Sequence, residues 1–159
     1  MKKKLSTATV YLIGAGPGDP ELLTLKAKRI LASAEVILYD YLAHPNIVLM
    51  GQKALKVCVG KKKGANSVKQ DQIHDLLLHY SKENSTIVRL KGGDPMVFGR
   101  CGEEMEFLKK NSINFEIIPG ISSAIAAPTY AGIPITHRDH SHSVAFVTAT
   151  RANDIQNMN

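Results

Sequence analysis

The sequence predicts an α/β fold: a parallel sheet with helices on both faces. Three observations predict it. Short β-branched and aliphatic runs recur along the chain, apolar at nearly every position, as in strands buried on two sides. Between them lie stretches whose apolar residues recur at helical spacing. The joints are short and rich in Gly, Pro and Asp, and strands that alternate with helices in this way argue for a parallel sheet.

Taken in order, Thr9–Ile13 is the first strand, followed by the loop Gly14-Ala15-Gly16-Pro17-Gly18-Asp19-Pro20. A helix is predicted over Glu21–Ala34, with Leu22, Leu25, Ala27, Ile30 and Leu31 on its apolar face. Asp19 before Pro20 matches an N-cap followed by proline at the first helical position. Val36–Asp40 is the second strand and ends on a carboxylate. His44-Pro45-Asn46 opens a short helix through Met50, and Ala54–Val59 is the third strand. Lys69–Glu83 is a helix with Ile73, Leu76, Leu77 and Tyr80 on one face. Ser85–Leu90 is the fourth strand, Gly102–Asn111 a helix, and Phe115–Ile118 the fifth strand. Pro119-Gly120-Ile121-Ser122-Ser123-Ala124 turns into a small-residue helix to about Ala131. Gly132–Asp139 reads as a connection, and Ser143–Thr148 as a sixth strand.

The chain has 159 residues, 44% of them hydrophobic, which suffices for one core and part of a second. No apolar run is long enough to span a bilayer, and Val10–Gly14 leads into a glycine loop as a strand would, not as a signal peptide does. Cys58 and Cys101 are the only cysteines and form no Cys-x-x-Cys pair, which fits a reducing cytoplasm. The net charge is +6, with clusters at Lys2–Lys4 and Lys61–Lys63. Tryptophan is absent and no aromatic residues interleave with the lysines, so a base-stacking platform is not indicated. Attraction of a polyanionic small substrate and a plain solvated basic surface account for the charge equally well. No membrane or nucleic-acid partner is expected. His137, His140 and His142 lack a convincing ligand set beyond Asp139, so no metal site is expected.

The loop Lys91-Gly92-Gly93-Asp94-Pro95 follows the fourth strand, where open α/β sheets place their ligands. Adjacent glycines permit a sharp turn and close approach of a ligand to main-chain amides. A dinucleotide is the first candidate, because Gly14-Ala15-Gly16 follows strand one and Asp40 ends strand two. The third glycine of that pattern is Asp19, however, and Pro17 removes a donor. A carboxylate then stands where the pyrophosphate would sit. No Gly-Lys-Ser/Thr loop is present either. A cationic or zwitterionic nucleoside suits these loops better.

Four ordered motifs carry a resemblance. Gly14-Ala15-Gly16-Pro17-Gly18-Asp19-Pro20-Glu21-Leu22-Leu23-Thr24-Leu25-Lys26-Ala27 resembles the opening of the tetrapyrrole methylases. Val88-Arg89-Leu90-Lys91-Gly92-Gly93-Asp94-Pro95-Met96-Val97-Phe98-Gly99-Arg100 is similar to their cofactor loop. Pro119-Gly120-Ile121-Ser122-Ser123 and Gly132-Ile133-Pro134-Ile135-Thr136-His137-Arg138-Asp139 are most similar to members that act on uroporphyrinogen III.

The resemblance implies methyl transfer from S-adenosyl-L-methionine to ring carbons of uroporphyrinogen III. The products would be precorrin-2, for sirohaem and cobalamin synthesis, and S-adenosyl-L-homocysteine. It implies a homodimer of two α/β domains with the cofactor in the cleft. By motif, the cofactor contacts would be Pro17, Gly92, Gly93 and Asp94, with Val97, Ser122 and Ser123. Asp40 would be the proton acceptor and Lys61 the proton donor. Lys61–Lys63 would also pair with a polycarboxylate substrate. The sequence departs from the family at Tyr41 and Lys62, where arginine is common, at Cys101 for glycine, and at Ser122-Ser123 for Thr-Ala. Cys101 beside the loop is expected to be a reactive or sterically awkward thiol. Residues 1–133 are read as the N-terminal domain, and 134–159 as the linker and first strand of a truncated second domain. The chain alone is therefore expected to bind the cofactor weakly and to transfer methyl groups poorly. A related methylase with another substrate and a non-catalytic binding domain are the alternatives.

Overall fold

The computed structural model describes residues 8–60 and 70–148. Within them, β1 (Thr9–Gly14), β2 (Val36–Tyr39), β3 (Leu55–Cys58), β4 (Thr86–Lys91) and β5 (Asn114–Ile118) form one sheet in the order β3-β2-β4-β1-β5. Every neighbouring pair is parallel. In a parallel sheet all carboxyl ends share one edge, so the glycine loops and Asp40 come to the same side.

The helices are α1 (Leu25–Ser33), α2 (Pro45–Val48), α3 (Gln70–Tyr80), α4 (Cys101–Lys110) and α5 (Ser123–Tyr130). Alternate strand residues feed two cores, one on each face. Ile13, Ile37, Val88 and Leu90 pack with Ala27, Ile30 and Leu31 of α1 and Ile47 of α2. Leu12, Leu38 and Ile87 pack with Ile73 and Leu77 of α3 and Leu108 of α4. The layered α/β architecture expected from the alternating pattern is thus present, with strand ends within a residue or two of those predicted.

Two segments differ. The helix predicted over Glu21–Ala34 is broken. Asp19 Oδ1 accepts the Glu21 N–H at 2.8 Å and caps a 3-10 turn over Pro20–Leu22. Thr24 then restarts the chain with extended backbone, and its hydroxyl accepts the Ala27 N–H at 3.2 Å. Leu25 becomes the first residue of α1 and lies 87% exposed, not on the apolar face. The sixth strand expected over Ser143–Thr148 does not form. A strand exists only through its ladder, and this segment enters none of the described strand pairs.

The chain divides into two units, Met1–Ser123 and Ala124–Asn159. The sheet belongs to the first. In the second, a turn over residues 137–141 is closed by the His137 N–H donating to the Ser141 carbonyl at 2.8 Å. The His137 and His140 rings stack with centroids 4.5 Å apart. Among the described residues, no group of three His, Cys, Asp or Glu is placed to hold a metal ion. No described helix is long and apolar enough to cross a membrane.

Candidate active site

The sheet order fixes where a cleft opens. From β1 the chain runs through α1 to β2, on one side of the neighbouring pair β4–β1. From β4 it runs through α4 to β5, on the other side. The helices α1 and α4 also cover opposite faces. Adjacent parallel strands whose connections diverge in this way leave a crevice outside their carboxyl ends, and that is where such sheets bind ligands. The loops at this switch point are Ala15–Asp19 after β1 and Gly92–Asp94 after β4.

These loops are joined to each other. The Ala15 N–H donates to the Lys91 carbonyl at 2.7 Å, and Gly16 and Gly93 exchange N–H···O bonds of 3.1 and 2.8 Å. The Gly93 amide is thereby committed to Gly16. Gly93 turns the chain at φ +62°, a region that glycine alone enters without strain. The next residue ties in the β5 loop. Asp94 Oδ1 accepts the Met96 N–H at 2.8 Å and Oδ2 accepts the Gly120 N–H at 3.0 Å. The three loops then touch so closely that a Cβ on Gly14 would stand 2.5 Å from the Gly93 carbonyl oxygen.

Asp40 lies at the same edge, one residue past β2. Its Oδ1 accepts the Leu42 N–H at 3.1 Å, and its side chain stays 23% exposed. Leu42 backs onto Gly92, where a Cβ would meet the Leu42 backbone at 3.3 Å. Asp40 is thus carried to the flank of the Gly92-Gly93 turn. Beneath it lies a charge cluster that the sequence reading missed. Arg89 and Lys91 occupy alternate positions of β4, on the α4 face, and both are buried with Glu104 of α4. Arg89 Nε lies 3.1 Å from Glu104 Oε1, and Lys91 Nζ 2.9 Å from Oε2. Gln70 Nε2 donates to Oε1 at 3.3 Å. Burial pushes the Lys91 ammonium below its ordinary value, helped by Arg89 and opposed by Glu104. The signal was available: two cations two residues apart in an otherwise apolar, doubly buried strand need a buried anion.

The remaining predicted residues take different places. Gly93 passes close to Ser122 and Ser123, with 3.7 Å between a Cβ position on Gly93 and the Ser122 Cα. Val97 is half-buried and donates its N–H to the Asp94 carbonyl at 3.3 Å, within the same turn. Pro17 is exposed at the crest of the β1 loop. Lys61 lies outside the described residues. Cys101 is buried, and its thiol is pushed up by that burial and by Glu104, so the expectation of a reactive thiol there is not met. Arg100, in the left-handed region at φ 56°, forks onto Glu103 with two bonds of 2.7 Å.

Glycine turns joined after β1, β4 and β5, with carboxylates at Asp19, Asp40 and Asp94 along the same sheet edge, define an open parallel α/β class in which no phosphate cradle is built. The Asp19 carboxylate already occupies the amide that a pyrophosphate would need. Within that class the chain belongs to the tetrapyrrole (corrin/porphyrin) methylases, whose family model matches residues 9–158. It is 55% identical over 140 residues to the S-adenosyl-L-methionine-dependent uroporphyrinogen III methyltransferase of Methanosarcina barkeri, covering 87% of this chain and 55% of that protein. It is 53% identical over 140 residues to a sirohaem synthase of Psychrobacter cryohalolentis, covering 87% of this chain and 27% of that protein. Among solved structures, it superposes with a TM-score of 0.75 on the uroporphyrin-III C-methyltransferase of Thermus thermophilus complexed with S-adenosylhomocysteine. Identity there is 48%, over 86% of this chain and 57% of that one. The chain thus spans about half the length of the methyltransferases it matches and under a third of the sirohaem synthases.

Proposed function

We propose that this chain carries the sheet-side wall of an S-adenosyl-L-methionine-dependent C-methyltransferase that converts uroporphyrinogen III to precorrin-2, on the route to sirohaem and cobalamin. The observation that carries the reading is the joined edge, with the Gly92–Asp94 turn between the Gly14–Asp19 and Gly120–Ser123 loops and Asp40 on its flank. The chemistry of the cleft fits the cofactor. Carboxylates and carbonyls at its rim suit a sulfonium cation, and a methionine-linked nucleoside has no phosphate to cradle.

Pro17, Gly92, Gly93 and Asp94 would line the cofactor, with Val97, Ser122 and Ser123 closing the same wall. When bound, the sulfonium supplies an electrophilic methyl group whose carbon–sulfur electron pair stays on sulfur. The residues of this chain do the rest. The loops hold a pyrrole carbon in line with that methyl, and orientation of this kind supplies much of the rate. Asp40 takes up the proton lost as the cation formed on methylation is neutralised. Lys61 returns a proton, and Lys62 and Lys63 pair with the acidic arms of the substrate. The same resemblance supports a homodimer, which a solution mass measurement tests, and the two unpaired cysteines support a cytoplasmic location.

The deciding experiment compares the purified chain with the same chain joined to the second half of the Methanosarcina barkeri relative. Each receives uroporphyrinogen III and radiolabelled methyl donor. The joined protein is expected to methylate the substrate, the chain alone to manage less than about a hundredth of that rate, and Asp40→Asn to lower the joined protein's rate by about 10²–10⁴-fold, leaving a measurable residual rate. Full turnover by the chain alone would overturn the need for a second half. S-adenosylhomocysteine binding without methyl transfer in the joined protein would instead mark a non-catalytic binding domain.

A further inference from the structure

The charged cluster beneath the sheet edge has no part in the chemistry above, yet it is built more carefully than a stray ion pair. Glu104 is fully buried and meets three donors, on Arg89, Lys91 and Gln70. Arg89 is held along two sides of its planar fork. Its Nε faces Glu104, and its Nη1 donates to the Leu90 carbonyl at 3.0 Å and reaches the Leu38 carbonyl at 3.5 Å. A rigid plane fixed on two sides leaves its third side no freedom. That third side, Nη2, lies 3.6 Å from Asp40 Oδ2, close enough for an ion pair and too long for a direct hydrogen bond.

We propose that Arg89 is a positioning residue, anchored by Glu104 and the strand carbonyls so that it holds the Asp40 carboxylate in a single orientation at the mouth of the cleft. The inference rests on the reading of Asp40 as proton acceptor and adds a reason why that side chain stays aimed. Asp40 is held from two directions: the Leu42 amide donates to Oδ1 from its own loop, and the Arg89 charge faces Oδ2 across 3.6 Å. Charge count points the same way. Arg89, Lys91 and Glu104 alone leave one positive charge in a buried site, and the carboxylate that balances it is Asp40. A cluster with a purely structural role would close on itself; this one reaches the surface at the residue the chemistry uses. Lysine cannot substitute for Arg89, because a point charge on a flexible stem cannot be held on two sides and present a third.

The test has two arms. In this chain, the Hα–Hβ couplings of Asp40 measured by NMR report its side-chain rotamer. They are expected to show one rotamer in the parent and averaged couplings in Arg89→Lys. Asp94, held by two backbone amides, serves as the control and should stay unchanged. In the joined two-half protein, Arg89→Lys should lower kcat more than about tenfold with KM for uroporphyrinogen III within twofold. Added to Asp40→Asn, it should cost less than about twofold more, because the residue it positions is gone. A single Asp40 rotamer in Arg89→Lys, or a rate loss that persists undiminished in the Asp40→Asn background, would overturn the inference. If Arg89→Lys does not fold, Arg89→Gln takes its place, since it leaves Glu104 paired with Lys91. Parent-like kcat in Asp40→Asn sinks the proton-acceptor reading, while the couplings still decide whether Arg89 positions Asp40.

Discussion

The Asp94 carboxylate accepts the Gly120 amide at 3.0 Å, linking the loop after β4 to the loop after β5 across 26 residues of sequence. Its other oxygen holds Met96 within its own turn. One side chain therefore fixes both the shape of the Gly92–Met96 turn and its distance from the neighbouring loop.

Replacing Asp94 by Ala leaves two backbone N–H groups without their anionic acceptor. Hydrogen bonds to a charged group of this kind are worth about 1.5–3 kcal/mol, with the lower end apt for a half-buried site. Asp94→Asn is expected to fall between, since its amide oxygen can serve one donor while its NH2 group opposes the other. Urea unfolding monitored by circular dichroism checks the order: parent, then Asp94→Asn, then Asp94→Ala.

The same loops leave no space for a side chain where they cross. A Cβ on Gly120 would run into the Gly93 carbonyl oxygen and stand 2.8 Å from the Gly14 Cα, and both neighbours are backbone that cannot rotate away. Gly120→Ala is expected to destabilise the chain by about 1–3 kcal/mol through forced separation of the loops. Gly102→Ala is the contrast, because a Cβ there meets nothing within 4 Å. That substitution lies in α4 and should be neutral or stabilising by about 0.5–1 kcal/mol. Thermal melts of the two variants side by side read the difference.

The features legible in the sequence were those written in local chemistry. Gly-Gly-Asp-Pro after an apolar strand, and Asp-Pro before a helical run, announced the turns because each residue acts on its own backbone. The break at Leu23-Thr24 was hidden, since leucines keep helical spacing straight through it and the Thr24 cap competes only once the chain is folded. The pairing of Gly16 with Gly93 was equally hidden, because it joins residues 77 positions apart through the sheet order. Glu104 sits in the first turn of α4 among other acidic residues, and nothing in its neighbourhood distinguishes it as the buried partner of Arg89 and Lys91.

The two cysteines offer a direct check on burial. Cys58 is exposed at the end of the edge strand β3, whereas Cys101 is buried at the start of α4. Burial pushes the Cys101 thiol up, so less thiolate forms at any given pH, and the thiolate is the reactive species. Ellman's reagent at pH 8 is expected to titrate one thiol rapidly in the native chain and both in denaturant. Loss of the fast reaction in Cys58→Ser, with the slow one intact, assigns it.

Removing Glu104 should be the most damaging single change in the cluster, and the damage should depend on pH. Glu104→Ala leaves Lys91 without its buried partner and Arg89 with only the longer Asp40 contact, and breaking a buried pair this way costs about 3–5 kcal/mol. Lys91 already sits below its ordinary value of 10.5, with Glu104 as the group that holds it up. Without Glu104 its folded value drops further. Between that lowered value and 10.5 the unfolded chain binds more protons at this site than the folded one, so stability rises with pH across the window. The deficit of Glu104→Ala relative to the parent is therefore expected to be largest near neutral pH, where Lys91 keeps its proton. It should shrink as the pH climbs toward 10, once Lys91 releases that proton and leaves Arg89 as the sole buried charge of the pair. Urea unfolding of both proteins at stepped pH values measures the gap. A gap that stays constant or widens with pH would show that like-charge repulsion between Arg89 and Lys91 is not what Glu104 relieves.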